Sequence, residues 1–292
     1  MSVTYNMQPA FAVDDASLLE TDLTTCHLLV LVGQGTFSYV VFEPAGGKFL
    51  ALKSYHFQPQ KLAVADLEMI ERVFDADKLL FTAFRSVLLA FDAAVSTLVP
   101  ESQYSSQLKK DYLHMAYPEK LQEAVLADIL PPPMSLVNVY AVDKDLLGFL
   151  RKEFSTDRMV HAHSALLQAY PYDFDFRAAD GVAYIMAQRN RFTITIYAGG
   201  KLLNQQEQPY QTGLDIVYHL VNTLRILGLD EQKVKVKLGG PIAKDTDVYG
   251  ELHKFMPHVE WVQRLSDFQY ISKMQELPAH YFHHLYALAL CV

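Results

Sequence analysis

Two Gly-Gly-Lys triplets, Gly46-Gly47-Lys48 and Gly199-Gly200-Lys201, stand 153 residues apart in a chain of 292. Each is flanked by strand-like runs in the same order. In the second half, residues 182–186 are nearly all apolar and short, as in a strand buried on both faces. Phe192-Thr-Ile-Thr-Ile196 then alternates apolar and polar like a half-buried strand, the glycines give a hairpin turn its backbone freedom, and the chain returns from Leu202. In the first half, residues 28–32, residues 37–42, the Gly46 turn and residues 49–55 follow the same plan. The tripeptide alone is weak evidence, because such turns close hairpins in many unrelated proteins. The matched order of elements around it is stronger, and predicts an α/β chain with two related halves.

The remaining segments fit that scheme. This length suggests about two domains with a substantial core, and 51% apolar with 20% charged residues is the balance of a folded globular chain. Residues 1–24 read as an extended lead-in. After Pro59 a helix presents Ala63, Leu67, Ile70 and Phe74 on one face. Strands are expected at 86–91 and 94–99, and a surface excursion with a short helix at 101–120. Pro131-Pro132-Pro133 runs straight into a strand at 137–142, which makes it a loop within one domain rather than a linker. Asp143 caps a helix to Phe154, a short strand covers 159–161, and a helix runs from Ser164 to about Pro171. The segment 172–177 is the candidate boundary, giving domains 1–175 and 176–292.

In the second half, Thr212 and Asp215 open the clearest helix, with Leu214, Val217, Val221 and Leu224 as its apolar stripe and Gly228 at its close. Lys235 and Lys237 alternate through the strand 234–238, so one of its faces is expected to open to solvent or to a cleft. A helix at 243–255, a strand at 259–262 and an apolar closing helix at 278–290 complete the chain.

Charge and cysteine content exclude several function classes. A formal net charge of −8 with no basic run argues against a nucleic-acid or anionic-membrane binder. Cys26 and Cys291 are too few for a disulfide framework and predict reduced thiols. The first twenty residues carry Asp14, Asp15 and Glu20 without a basic or continuous apolar region, so no signal peptide is expected. No run approaches the roughly 20 apolar residues of a membrane span. The expected localisation is cytoplasmic.

Leu98-Val-Pro-Glu101, Val137-Asn-Val-Tyr140, His163-Ser-Ala-Leu-Leu167 and the block 192–240 carry a family resemblance. Over nearly its full length the chain resembles a Bacteroidota family, domain of unknown function 3822. The order of its elements resembles the duplicated actin-like ATPase fold, a ribonuclease H-like α/β architecture shared by actin and sugar kinases. The resemblance implies two mixed sheets with flanking helices around a cleft. It also implies a ligand cleft built from Gly33, Gln34, Gly35 and Thr36, from Gln188, Arg189 and Asn190, and from Gly239 and Gly240.

In ATPases of this fold an acid at the end of the first strand of each half holds the metal, while glycine turns present N–H groups to phosphate oxygens. Leu31 falls where the first acid belongs. Met186-Ala-Gln-Arg-Asn190 has neither acid nor glycine. Leu238-Gly-Gly-Pro241 keeps the third motif, which lies against adenosine in nucleotide-binding relatives. The resemblance therefore implies a vestigial cleft with no catalytic residue, no metal and no cofactor. The expected function is that of a degenerate actin-like protein without nucleotide hydrolysis, a scaffold or regulator with an unknown protein partner, and neither nucleic-acid binding nor membrane insertion. Weak nucleotide or anion binding, with Arg189 as the cation, is compatible with it. One alternative is an ATP-binding enzyme recruiting metal ligands such as Asp180 or Asp215. Another is an adaptor in a membrane-associated secretion or pilus assembly.

Plainer readings stand beside these. Gly33, Gly35 and Thr36 could cradle a phosphate, yet a tight hairpin turn needs the same glycine geometry. Gly239-Gly240 suits a strand-to-helix turn as well as a nucleotide base. Among eleven histidines, His161 with His163, and His280 with His283 and His284, invite a metal. On a helix His280 and His284 would share a face, as zinc-binding pairs do. The neighbouring Tyr281, Phe282, Leu285 and Tyr286 favour packing instead, and no acidic or cysteine ligand lies nearby in sequence.

Overall fold

In the computed structural model, which describes residues 7–57, 63–92, 95–117, 123–173 and 178–292, the meander plan of the sequence is present in two separate sheets. The chain divides into two units. The first comprises residues 1–168, 267–276 and 285–292, and the second residues 169–266 and 277–284. The expected helix start after Pro59, the first residue of the strand expected from Ala94, and the expected boundary between 175 and 176 lie outside the described residues.

In the first unit, β1 (Phe11–Asp14), β2 (His27–Gly33), β3 (Thr36–Glu43) and β4 (Lys48–His56) pair antiparallel in the order β1-β4-β3-β2. Helix α1 (Ala63–Ala76) leads to β5 (Ser86–Phe91), which joins β2 in parallel. β2 is central in the sheet, between β3 and β5, and the burial of Leu28, Leu29, Val30, Leu31 and Val32 shows that both of its faces are covered. Residues of β2 and β3 pack with Ile70, Val73 and Phe74 of α1 in the main core. Residues 11–14, expected as lead-in, instead add an edge strand to β4.

A three-stranded antiparallel sheet is built from β6 (Ser96–Pro100), β7 (Glu123–Leu130) and β8 (Leu136–Asp143), in the order β6-β8-β7, with helix α2 (Lys109–Ala116) preceding β7. Val137, Val139 and Ala141 of β8 cluster with Leu113 of α2, while Tyr140 and Val142 enter the main core. The proline run is the β7–β8 connection. Asp143 accepts from the backbone N of Asp145 (3.0 Å) and Leu146 (2.8 Å), capping α3 (Lys144–Phe154). Strand β9 (Met159–His161) then joins β5 in parallel and leads directly into α4 (Ala162–Asp173).

The second unit holds β10 (Val182–Ala187), β11 (Arg191–Ala198), β12 (Lys201–Pro209), α5 (Gly213–Ile226), β13 (Lys235–Gly239), α6 (Asp247–Phe255) and β14 (Val259–Trp261). Its sheet order is β12-β11-β10-β13-β14, antiparallel through the meander and parallel across the last two pairs. The first unit's β4-β3-β2-β5-β9 follows the same order and directions. After β14, β15 (Gln269–Tyr270) pairs with β4 in parallel, followed by the short helices α7 (Ser272–Gln275) and α8 (His283–Tyr286).

Three expectations fail on packing. Leu214 on α5 is 51% exposed, and the buried face is formed by Ile216, Val217, Leu220, Thr223 and Leu224. The β13 face carrying Lys237 is closed, since the ammonium lies 3.5 Å from Asp173 and 3.0 Å from Glu260, opposite charges that make burial of the lysine tolerable. The closing helix expected at 278–290 shrinks to α8 and a 3₁₀ turn.

Candidate functional site

In an open α/β sheet the parallel strands share a carboxyl edge, where ligands bind. The two sheets have such edges, and each is described in its own unit.

In the first unit β2, β5 and β9 end together at Gly33, Phe91 and His161, with Asp92 next after β5. Gly33 pairs with Thr36, leaving Gln34-Gly35 as a two-residue hairpin turn in which Gly35 takes φ +71°. Phe57 donates its backbone N–H to Gly35 O at 2.8 Å and fastens the turn. Leu31 stays buried inside β2, so the turn's own strand brings no acid. The acid comes from the neighbouring strand. The Asp92 backbone N–H bonds Val32 O at 2.8 Å, and its side chain approaches the turn: a β-carbon built at Gly33 would lie 3.6 Å from an Asp92 carboxylate oxygen and 2.7 Å from Thr36 Oγ1. From the first turn of α4, His163 brings an imidazole nitrogen within 4.8 Å of a carboxylate oxygen of Asp92.

Behind His163 lies a buried polar network. Asp128 accepts from Ser164 Oγ (2.6 Å), His161 N (2.7 Å) and Tyr140 OH (3.2 Å), and Asn138 Nδ2 donates to Ser164 Oγ at 3.0 Å. Burial pushes the Asp128 carboxyl up to about 6 against the pull of these donors.

In the second unit β10, β13 and β14 end at Ala187, Gly239 and Trp261, with Gln188 and Gly240 next after the first two. Gln188 N bonds Arg191 O at 2.8 Å, which makes Arg189-Asn190 a two-residue turn with Arg189 exposed at its tip. Its neighbours are engaged: Gln188 Oε1 accepts from Arg191 Nε (2.6 Å), and Gln188 O from Tyr210 OH (2.5 Å). At Gly240 φ is +101°, and a β-carbon there would run into the Ala187 carbonyl oxygen, so glycine is required by the approach to β10. The Gly240 N–H donates to His280 O at 2.9 Å, and the next residue, Pro241, has no N–H.

His280 does not pair with His284 on a helix, since α8 begins only at His283. Its Nε2 bonds Ile242 O at 2.8 Å and its ring stacks on Trp261 at 3.8 Å, with Tyr249 stacked against the same indole at 5.0 Å. Burial lowers the His280 pKa, and drives that of His283, whose Nδ1 meets Gln263 O at 3.1 Å, down to about 4. Asp215 caps α5, accepting from Gln211 N (2.9 Å) and Thr212 N (2.8 Å), and Asp180 precedes the amino end of β10. Asp180 thus lies at the edge opposite the carboxyl ends, and the Asp215 carboxylate is taken up in capping α5.

Asp92 and His163 were not assembled by sequence reasoning because 71 positions separate them. The usable signal was positional: each follows a short strand that becomes parallel.

Two mixed sheets that share one five-strand order, each closing its carboxyl edge with meander turns, define the actin-like ATPase fold. The family model described as protein of unknown function (DUF3822) matches residues 16–259, and the chain belongs to that family. A Bacteroides thetaiotaomicron protein described as having an actin-like ATPase fold and unknown function is similar in structure, with TM-score 0.76, 16% identity, and coverage of 93% of this chain and 99% of that one. The PilM-PilN type IV pilus biogenesis complex contains a chain similar with TM-score 0.61, 13% identity and coverage of 91% and 98%. No curated protein matches the sequence.

Proposed function

We propose that this protein acts by binding, as a cytoplasmic scaffold or regulatory partner, and does not hydrolyse ATP. The observation that carries this reading is the Gly239-Gly240 turn, whose glycine geometry serves the chain's own packing and whose Gly240 N–H is given to His280 O. Phosphoryl transfer in this fold depends on N–H donors aimed at phosphate and on carboxylate-held Mg²⁺, which supply positioning and charge stabilisation together. At the Gln188 to Asn190 turn the engaged groups belong to Arg191 and Tyr210, and no carboxylate stands in the turn itself. The similarity to a chain of the PilM-PilN complex supports a protein as the partner, and an adaptor in a membrane-associated assembly is one form of that role.

Asp92 beside Gly33 favours a second reading, an ATP-binding enzyme whose carboxylate comes from β5. Mg²⁺-dependent phosphate release from ATP separates the two. Wild type and Asp92→Asn should both stay at background, and release by wild type that Asp92→Asn abolishes would establish the enzyme.

A further inference from the structure

We infer that the carboxyl edge of the first unit's sheet holds a divalent transition-metal ion, with Asp92 and His163 as protein ligands and the Thr36 hydroxyl beside them. This goes beyond the binding-protein reading and is independent of it, since a hydrolase would hold such an ion equally well.

Three segments far apart in sequence bring donors of different kinds to one place. Asp92 follows β5, His163 follows β9, and Thr36 opens β3 opposite Gly33. Donor atoms of Asp92 and His163 lie within 4.8 Å of one another. Metal bonds of about 2.0–2.2 Å place two tetrahedral ligands about 3.3 Å apart, so side-chain rotation closes the pair on an ion. Space for the ion's other ligands comes from Gly33. The position its β-carbon would take lies 2.7 Å from Thr36 Oγ1 and 3.6 Å from Asp92 Oδ2, so any larger residue would intrude between them.

The backbone that carries each ligand is also held in place. The Asp92 backbone is tied to Val32 O at 2.8 Å, and the His163 N–H bonds His161 Nδ1 at 3.0 Å with the two rings 4.6 Å apart. Asp92 and His163 are both buried, where a carboxylate gains more from a cation than it would in water. An imidazole with a carboxylate suits Zn²⁺, Co²⁺ or Mn²⁺. Mg²⁺ prefers an all-oxygen shell and keeps its waters. Water or an anion fills the remaining coordination positions.

The test titrates Co²⁺ into EDTA-stripped full-length protein, followed by visible absorption, with Zn²⁺ and Mg²⁺ as competitors. One Co²⁺ per chain should bind with Kd below about 100 μM, displaced by Zn²⁺ and not by equal Mg²⁺. Asp92→Asn and His163→Gln should each weaken binding by about 10- to 100-fold. Asp92→Asn keeps the side-chain shape, and its metal-free melting temperature serves as the folding control. Absence of saturable binding in wild type, or undiminished binding by Asp92→Asn, overturns the site. Neither result alters the phosphate-release comparison that tests the function proposed above.

Discussion

Asp77 is 5% exposed and accepts from Tyr39 OH at 2.5 Å, Tyr55 OH at 2.7 Å and Lys53 Nζ at 2.8 Å. Burial alone would raise its pKa, but Lys53 and the two phenols outweigh it and hold the carboxyl below its ordinary value. A depressed folded-state pKa contributes stability that is present above the unfolded value and is lost as pH falls through the folded one. Asp77→Ala strands these three donors and the Leu79 N–H that Asp77 caps at 3.3 Å, and should cost at least about 2 kcal/mol in urea denaturation at pH 7. An unchanged midpoint would show that water replaces the carboxylate. Trp261, the chain's sole tryptophan, offers a second readout, because His280 stacks on it at 3.8 Å. Imidazolium quenches indole emission, and burial lowers the His280 pKa, so fluorescence should drop only below the usual histidine range and stay flat in His280→Gln. Neither arrangement was legible in the sequence. Asp77 reads as a residue after a helix and His280 as half of a metal pair, because both acquire their roles from partners at least nineteen positions away.

Elements were legible wherever period and capping agreed. The meander strands, β5, β8, α3 and α5 all occur where alternation, apolar runs or an Asp or Thr cap place them. The face of α5 was harder to read. Its sequence is apolar on more than one side, so a stripe through Leu214 looked as good as the true one through Ile216, Leu220 and Thr223. Leu224 belongs to both, and Leu224→Ala should cost about 2 to 5 kcal/mol, while Leu214→Ala should change stability by less than about 0.5 kcal/mol. Equal losses in chemical denaturation would refute the assigned face. Strand β7 is not legible in the sequence because Glu123 to Leu130 has no strict alternation, and pairing with β8 determines its conformation. Lys237 misled in the opposite direction. Its charge suggested an open face, which Asp173 and Glu260 close from other segments.

At the scale of the whole molecule, the two units carry buried groups that respond oppositely to acid. In the first unit burial raises Asp128 from 3.8 to about 6, so the folded state binds its proton more tightly than the unfolded chain does. That contribution is fully present below the unfolded value and is lost as pH rises to the folded one. In the second unit burial lowers His283 from 6.5 to about 4, and stability present above the unfolded value is lost as pH falls toward the folded one. Each shift corresponds to about 3 kcal/mol. His280 acts in the same direction as His283, while Asp173, raised by burial against the pull of Lys237, opposes them; in the first unit Glu123, raised by burial, adds to Asp128, and His27, lowered by burial, works against it. Acidification from pH 7 to 4.5 should therefore weaken the second unit and spare or strengthen the first. Hydrogen exchange corrected for intrinsic rates measures this directly: protection of α5 should fall, whereas protection of β2 and β3 should hold or rise. In Asp128→Asn the first unit should lose its acid-side gain and leave the α5 response intact. Parallel loss of protection in both units of the wild type would show that these two buried groups do not govern the acid response.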